Sequence, residues 1–333
     1  MSMLEAAALE GPLSAAQITH ADIADFAAES VNLSREDAEE FREQVRRLRE
    51  KLDKYASDHP DYGLIKTRLS GSLAKGTSLK TLNDIDVAFY VKAEKAPTAE
   101  PALINWLAAR LREAYPQMKP DQIKPNNHSV CIMYAVSGLS VDVVPVQYKG
   151  DPDDRGYLFA AEGGKPVLTS IPLHLEFIRK RKSQQKNHFS QVVRLVKWWV
   201  RFQKSKDETF RMKSFLTEMI VAHLADSGVS MADYTVALEK FFGYIVKSRL
   251  KARIFFTDYY QASKLPLSTG KPMEIFDPVN PTNNVAAEYS DSDRQKIVAA
   301  AQEALEAISE ARYATRGRAI QCWQDVLGPS FRG

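Results

Sequence analysis

Apolar and polar residues are spaced in two ways along this chain, and each spacing predicts a different kind of element. After Ser34, which is placed to cap a helix, apolar residues recur every three or four positions: Ala38, Phe41, Val45, Leu48, Leu52 and Tyr55. This spacing predicts a long amphipathic helix over residues 35–57. The helix should end before His59-Pro60, because the residue before a proline avoids the helical conformation. Residues 1–30 are rich in alanine and predict no clear element.

The next part of the chain has the shorter apolar runs that are typical of strands. Four such runs are present: Leu64–Leu69, Ile85–Val91, Val130–Val136 and Leu139–Gln147. The last two are separated by Ser137-Gly138, a pair that indicates a tight hairpin turn. Residues 101–115 follow a helical pattern, with Pro101 near the first turn. Residues 150–170 are rich in Gly, Asp and Pro, and we expect a loop there.

From about residue 174 onwards, helical spacing dominates the pattern. The predicted helices are 174–182, 188–204, 213–226, 231–246 and 291–313, and a short strand-like run occurs at Arg253–Phe256. We therefore expect an α/β lobe over residues 1–180, which includes the early bracing helix, and an all-helical lobe over residues 181–333. A chain of 333 residues suits two lobes of this size.

The composition is that of an ordinary soluble protein, with 44% hydrophobic and 26% charged residues. Lys and Arg total 45 and Asp and Glu total 42, so the net charge of +3 does not indicate a strongly basic nucleic-acid binder, although it permits a local basic groove. Cys131 and Cys322 have no metal-ligand spacing, which disfavours a zinc site or a disulfide framework and fits the cytoplasm. Neither a signal peptide nor a run of about 18 apolar residues is present, so we expect no membrane segment.

Two acidic residues and a Gly-Ser pair carry the strongest chemical signal. Eleven residues separate Gly71-Ser72 from Asp84-Ile85-Asp86. In a strand, alternate side chains share a face, so Asp84 and Asp86 should point the same way while Ile85 faces the core. Two adjacent carboxylates repel each other unless a cation lies between them. Hard divalent cations such as Mg²⁺ prefer oxygen ligands, so this pair predicts a metal site.

The Gly-Ser pair predicts the other half of a phosphoryl-transfer site. Gly71 lets the backbone approach a phosphate closely, and the hydroxyl of Ser72 is available to donate a hydrogen bond to it. Lys75 and Thr77 lie in the same segment and are further candidates for phosphate contact. Either motif alone is common in turns and on solvated surfaces. Their combination at this spacing favours metal-assisted phosphoryl transfer.

A third carboxylate is predicted at Asp142, within the valine-rich run Leu-Ser-Val-Asp-Val-Val-Pro-Val. An acidic side chain in such a strand is costly to bury without a partner. Asp142 is therefore either a third metal ligand, and a candidate general base, or a strand-end residue paired with Arg or Lys. Three carboxylates would hold two metal ions, one that positions a triphosphate and one that lowers the pKa of the attacking hydroxyl.

This pattern resembles the nucleotidyltransferase superfamily with a polymerase-β-like fold, which combines GS, a D-h-D pair and a later Asp. Residues 277–285, DPVNPTNNV, resemble a segment of the oligoadenylate-synthase-like enzymes. Residues 189–199, FSQVVRLVKWW, resemble the helix of that group that carries a phosphate-binding lysine. The run LSGSLAKGTSLKTLNDIDVAFYV is similar to the bacterial CD-NTases of CBASS anti-phage systems. The resemblance covers residues 35–315 and implies a mixed sheet, with the active site in a cleft between the sheet and the helical lobe.

The resemblance also implies roles for residues of the helical lobe. Lys197 would contact the triphosphate, Ser214 a phosphate, Phe215 would stack on a base, and Asn280 would line the cleft. Each has a structural alternative. Lys197 lies with Arg194 and Arg201 on a basic stripe opposite Val192, Val196, Trp199 and Gln203, and such a stripe is often a solvated helix face. Ser214 and Phe215 would be a helix cap and a core residue, and residues 277–285 a self-capped surface loop.

The resemblance implies Mg²⁺-dependent synthesis, or Mn²⁺-dependent synthesis, of a cyclic di- or trinucleotide that contains adenine. The substrates would be ATP and a second nucleoside triphosphate, and the product would serve anti-phage signalling. A HORMA-domain regulator or a nucleic acid would activate the enzyme. The basic clusters Arg179–Lys182 and Lys247–Arg253 are either contacts for such a nucleic acid or solvated helix faces. Two alternatives remain: an RNA-tailing or small-molecule nucleotidyltransferase of the same fold, and a non-catalytic nucleic-acid sensor.

Overall fold

The computed structural model describes residues 17–82, 84–98, 100–135, 138–159 and 166–333. It divides into two compact units. The sheet unit is Leu33–Arg179, and the helical unit joins the segment that ends at Asn32 to Lys180–Gly333.

The described elements follow the predicted order, with strands concentrated in the first half. The helices are α1 (His20–Phe26), α2 (Arg35–Asp58), α3 (Gly71–Lys75), α4 (Glu100–Ala114), α5 (Ile171–Gln185), α6 (His188–Lys206), α7 (Ser214–Asp226), α8 (Tyr234–Ser248), α9 (Asp291–Ala311) and α10 (Arg316–Leu327). The strands are β1 (Leu64–Leu69), β2 (Asp84–Lys92), β3 (Ile123–Pro125), β4 (Val130–Met133), β5 (Ser140–Tyr148), β6 (Gly156–Leu158) and β7 (Val167–Thr169).

The strands of the sheet unit form one mixed sheet. Its main order is β1-β2-β5-β4-β3, with β6 paired to β5 and β7 paired to β6. The central pair β2 and β5 is parallel, whereas the other pairs are antiparallel. The parallel pair matters for the site, because residues in register on adjacent strands project from the same face of the sheet.

The two faces of the central strands have opposite character. Ile85, Val87, Val141 and Val143 are fully buried and belong to a core that also includes residues of α2 and α4. On the other face, Ala88, Tyr90 and Val146 form a small apolar cluster towards the far ends of the strands. The starting ends of β2 and β5 on that second face carry polar side chains.

The amphipathic helix and the main strands are confirmed. Helix α2 begins after Ser34, whose side chain accepts a hydrogen bond from the backbone N–H of Asp37. Strand β4 ends at Met133 rather than at Val136. Strands β3, β6 and β7 have three residues each, and they, α1, α3 and α10 have no counterpart among the predicted elements.

Some predictions lie outside the described residues. These are the first half of the alanine-rich start (residues 1–16), Val136 and Ser137 at the predicted hairpin turn, and residues 160–165 of the predicted loop. The described remainder of that loop contains β6 and β7.

The N-terminal segment belongs to the helical unit, which differs from the predicted division into residues 1–180 and 181–333. The ring of Phe26 packs edge-on against Trp198 and Phe331, at centroid distances of 5.9 and 5.4 Å. Asp22 forms an ion pair with Arg316 at 2.5 Å. These long-range contacts leave no local pattern in the sequence, and they explain why residues 17–32 separate from α2.

The helical unit has an aromatic core. Trp199 on α6 is fully buried and packs edge-on against Phe210, Phe241 and Phe242. The strand-like run Arg253–Phe256 contributes only a single bridge, from Ile254 to Ile275. No helix in the described part of the chain combines the length and the apolar character that a bilayer span requires.

Candidate active site

The structure places Asp84 and Asp86 as the strand pattern predicts. Asp84 is exposed and Asp86 is half-buried. Ile85, which lies between them, and Val87, which follows Asp86, are both fully buried. The two carboxylates therefore lie on the face of β2 that is opposite the main core.

Asp142 lies directly beside Asp86. In the parallel pairing of β2 with β5, Asp86 is in register with Asp142, and Asp84 is in register with Ser140. The hydroxyl of Ser140 donates a hydrogen bond to Oδ1 of Asp84. Because in-register neighbours share a face, all three carboxylates belong to one acidic patch at the starting ends of the two central strands.

The pKa of Asp142 is affected by its burial and by a neighbouring carboxylate. Burial raises the pKa of Asp142, and the negative charge of Asp84 raises it further. Hydrogen bonds from Ser129 and Asn126 act in the opposite direction. A bound cation would relieve the repulsion between these carboxylates.

Gly71 is required by the close approach of its backbone to Asp86. Its φ is +63°, and a Cβ atom built on it would lie 1.8 Å from Oδ2 of Asp86. The adjacent N–H of Ser70 donates to the backbone carbonyl of Asp86 at 2.8 Å. The Gly-Ser segment is thus in direct contact with the acidic patch. This contact explains why the two motifs occur together at this spacing.

Ser72 and Lys75 belong to α3, the short helix between β1 and β2. The hydroxyl of Ser72 lies 3.1 Å from that of Ser78, and the carbonyl of Ser72 accepts a hydrogen bond from the N–H of Thr77 at 2.9 Å. Both Ser72 and Lys75 are half-buried. The structure therefore brings Gly71, Ser72 and Lys75 into the same unit as the carboxylates.

The donor set of the patch fits a hard divalent cation. Carboxylate oxygens are the ligands that Mg²⁺ prefers, and Oδ1 of both Asp84 and Asp142 is already held by a neutral donor. Among the described residues, no three His, Cys, Asp or Glu side chains are yet close enough to share one ion. A cation shared by all three carboxylates would require their side chains to turn towards each other.

Lys197 on α6 is buried rather than solvated. Its side chain is 6% exposed, and its Nζ lies 2.7 Å from Oε1 of Glu218, which is 2% exposed. The interpretation of residue 197 as part of a solvated basic face is therefore wrong. The residues predicted to share the other face, Val192, Val196, Trp199 and Gln203, are buried as well. Contact with a triphosphate stays a prediction.

Ser214 is the first residue of α7 and is exposed, while Phe215 is half-buried. The capping position is taken by Lys213, so the alternative that Ser214 caps the helix is wrong. Both predicted nucleotide contacts stay predictions.

Asn280 lies in a self-capped segment whose first part, Asp277–Asn280, is buried, whereas Thr282 is exposed. Asn280 is 7% exposed, and its Oδ1 accepts hydrogen bonds from the N–H and hydroxyl of Thr282, at 3.1 and 2.9 Å. Oδ1 of Asp277 likewise accepts from the N–H of Val279 at 2.7 Å. Lys197, Ser214, Phe215 and Asn280 all belong to the helical unit.

The sequence reasoning missed four neighbours of the carboxylates: Asn126, Ser129, Cys131 and Ser140. Ser140 precedes Asp142 by two residues, so strand alternation places it on the same face. The others depend on the register of β4 with β5, in which Cys131 pairs with Asp142. That register has no local sequence signal.

Comparison with known protein families agrees with this geometry. The family described as the Second Messenger Oligonucleotide or Dinucleotide Synthetase domain matches residues 18–161. The family described as 2'-5'-oligoadenylate synthetase 1, domain 2, C-terminus, matches residues 161–327.

Individual relatives cover nearly the whole chain. The cyclic AMP-AMP-AMP synthase of Escherichia coli (strain MS 115-1) is 48% identical over 96% of this chain and 100% of its own length. A CBASS oligonucleotide cyclase, CdnC of Escherichia coli (strain KTE188), is 28% identical over 95% of this chain and 98% of its own.

Solved structures give the same result. CdnC of E. coli MS115-1 is 48% identical and covers 95% of this chain and 99% of its own, with a TM-score of 0.90, both with ATP and in a complex with HORMA-deltaN. The predicted fold class, a polymerase-β-like core with a mixed sheet and an all-helical C-terminal lobe, is confirmed. The chain belongs to the CBASS oligonucleotide cyclases, which are nucleotidyltransferases of the CD-NTase group.

Proposed function

We propose that this chain joins nucleoside triphosphates into a cyclic oligonucleotide at the acidic patch of Asp84, Asp86 and Asp142. The observation that carries the proposal is the register of Asp86 with Asp142, with Asp84 on the same face. The first product to test is a ring of three AMP units, because the relative with 48% identity is named a cyclic AMP-AMP-AMP synthase. ATP is then the principal substrate.

Each bond forms when the hydroxyl of one nucleotide loses its proton and attacks the α-phosphate of another, which breaks the α–β phosphoanhydride bond and releases pyrophosphate. Bound Mg²⁺, or Mn²⁺ in its place, would neutralise phosphate charge and lower the pKa of the attacking hydroxyl. The three carboxylates would hold the cation, and Gly71 lets the backbone of α3 approach the phosphates. Ser72 donates its hydroxyl to a phosphate oxygen, and Lys75 supplies positive charge.

In the helical unit we assign nucleotide contacts to four residues. Lys197 and Ser214 contact phosphate, Phe215 offers an aromatic face to a base, and Asn280 contributes an amide. The half-buried position of Phe215 supports its assignment, because the residue is partly accessible. The buried ion pair of Lys197 means that its ammonium must be shared between Glu218 and a phosphate.

A HORMA-domain protein is the regulator that we propose, because the similar CdnC has been solved in a complex with HORMA-deltaN. Activation by nucleic acid has weaker support from the cluster Arg179–Lys182. The guanidinium of Arg181 is buried and is bound to Asp226 at 2.5 Å and to Asp258 at 3.0 Å. That arginine therefore stabilises the helical unit and does not present its charge to a phosphate backbone.

We place the enzyme in the cytoplasm. Cys131 and Cys322 are both unpaired, and unpaired thiols with no disulfide are usual in a reducing compartment.

The test is an incubation of the full chain with Mg²⁺ and labelled ATP, alone, with GTP, and with a HORMA-domain protein, followed by phosphatase treatment. We expect a phosphatase-resistant product with the mass of three cyclised AMP units. The double variant Asp84→Asn, Asp86→Asn should give none. Labelled RNA or an adenylylated metabolite as the only product would overturn cyclisation in favour of the tailing or small-molecule alternative.

A non-catalytic sensor is tested in cells. The double variant should lose protection against phage, because protection requires the product. Full protection by that variant would show that the acidic patch does not act by catalysis.

A further inference from the structure

We propose that Asn126 and Ser129 are positioning residues that orient the carboxylate of Asp142 for cation binding. Both lie in the turn between β3 and β4. The inference rests on the proposed function, because it assigns a role to the neighbours of a proposed metal ligand.

The hairpin geometry brings this turn to Asp142. The N–H of Asn126 donates to the carbonyl of Ser129 at 2.8 Å and closes the turn. Val130, the next residue, is in register with Val143 on β5, so the turn lies beside Asp142. The sheet itself therefore fixes the position of the turn relative to the carboxylate.

Two side chains of the turn act on Asp142. Nδ2 of Asn126 donates to Oδ1 of Asp142 at 3.3 Å. Ser129 is only 8% exposed, and its hydroxyl lowers the pKa of Asp142 by favouring the charged carboxylate. A carboxylate has about four acceptor positions, so these contacts restrict its rotation and still leave oxygen lone pairs for a cation.

The donors are neutral, and this is the reason to connect them with a cation. In the described part of the chain, no lysine or arginine forms an ion pair with Asp142. An ammonium or guanidinium group would cancel the charge that a cation needs and would compete for the same oxygens. An amide and a hydroxyl instead orient the carboxylate while its negative charge remains. Partners of this kind typically change metal affinity by about 10–100-fold when they are removed.

The turn also contains a matched control. Asn127 is exposed, like Asn126, but its side chain makes no hydrogen bond within the described residues. Asn126→Ala and Asn127→Ala therefore remove the same group from adjacent positions, and only the first removes a contact with Asp142.

The experiment measures binding of Mn²⁺ to the full chain by electron paramagnetic resonance, with a non-hydrolysable ATP analogue present. We expect Asn126→Ala and Ser129→Ala to weaken Mn²⁺ binding by about tenfold, and Asn127→Ala to leave it unchanged. Ser129→Thr keeps the hydroxyl and should recover most of the affinity. In activity assays, the Mg²⁺ concentration for half-maximal rate should rise for Asn126→Ala, while kcat at saturating Mg²⁺ changes little.

Asp142→Asn separates failure of this inference from failure of the proposed function. If Asp142→Asn binds Mn²⁺ like the unmodified chain, the proposed metal site is wrong. If Asp142→Asn loses binding while Asn126→Ala and Ser129→Ala keep full affinity, the metal site stands and the positioning role is overturned. Equal weakening by Asn126→Ala and Asn127→Ala would also overturn it, because the effect would then come from the turn as a whole.

Discussion

The backbone of Gly71 lies so close to Asp86 that one added carbon should disable the site. In Gly71→Ala the new Cβ would fall 1.8 Å from Oδ2 of Asp86. The left-handed backbone, with φ of +63°, adds about 1–2 kcal/mol of strain for a residue with a Cβ. We expect product formation to fall at least a hundredfold, and urea unfolding to show the loss of stability.

Gly138→Ala is the control for backbone strain alone. Gly138 has φ of +67°, and a Cβ there would meet no atom within 4 Å. Both variants should lose a similar amount of stability from strain, but only Gly71→Ala should lose activity. Equal activity in the two variants would show that the position of the Asp86 carboxylate does not matter.

Cys131 offers a chemical probe of the charge on the acidic patch. Burial raises the pKa of its thiol, and the negative charges of Asp142 and Asp84 raise it further. Only the thiolate reacts with iodoacetamide, so alkylation at neutral pH should be slow. Asp142→Asn removes one of these charges and should lower the pKa of Cys131 and speed its alkylation.

Peptide mass spectrometry distinguishes Cys131 from Cys322 and gives the rate directly. Asp53→Asn, an exposed change on α2, is the control and should leave the rate unaltered. If Asp142→Asn and the unmodified chain were alkylated at the same rate, the charge of Asp142 would not affect the pKa of the Cys131 thiol.

At the level of single elements, local periodicity is enough to predict the part of the site that lies within one strand. The period of two within β2 predicts that Asp84 and Asp86 share a face, because that relation depends on one strand only. The position of Asp142 beside Asp86 depends on which strands pair and in what register, and this is a non-local property. Strands of three residues, such as β3, are too short to show a period, so the turn that holds Asp142 could not be predicted.

The partial burial of residues 277–285, which is confined to Asp277–Asn280 and Asn284, shows the same limit. The pattern of Asp, Asn and Pro correctly predicts a self-capped segment, because Asp277 and Asn280 bond to backbone a few residues away. Burial depends on what packs over the segment, and the local sequence does not contain that information. Helix α10 is different, since Ala319, Cys322 and Val326 follow helical spacing and make it recognisable in retrospect.

The pairing of α6 with α7 through Lys197 and Glu218 allows structure and chemistry to be separated. Lys197→Met alone removes the ammonium that is ion-paired with the buried carboxylate of Glu218 and should cost about 3–5 kcal/mol of unfolding free energy. The double variant Lys197→Met, Glu218→Leu removes both charges and should recover most of that loss. Product formation should nevertheless stay low, because the proposed phosphate contact is absent.

Urea unfolding and product formation are measured on the same preparations, with Glu218→Gln as a further single variant. If the double variant recovers both stability and activity, Lys197 has a structural role only.

At the level of the whole molecule, the sequence predicts the boundary near residue 180, but it does not predict which unit the N-terminal segment belongs to. The change from strand to helical spacing occurs along the chain and can be read locally. The membership of residues 17–32 in the helical unit depends on contacts with residues about 170 to 300 positions later, such as Trp198 and Phe331. The helical unit contains both ends of the chain because these ends pack together. Patterns read along the sequence instead favour domains made of one continuous segment.

Two core residues that lie close in sequence test this assignment. Phe26 is 5% exposed and belongs to the helical unit, whereas Leu48 is fully buried in the core of the sheet unit. Truncation to alanine should cost about 3–5 kcal/mol for Phe26 and about 2–5 kcal/mol for Leu48. Hydrogen exchange with mass spectrometry should show the largest loss of protection in α6 and α10 for Phe26→Ala. For Leu48→Ala, the largest loss of protection should lie in β1, β2 and α4. If Phe26→Ala chiefly exposed the sheet strands, the N-terminal segment would belong with the sheet, as the continuous division at residue 180 predicts.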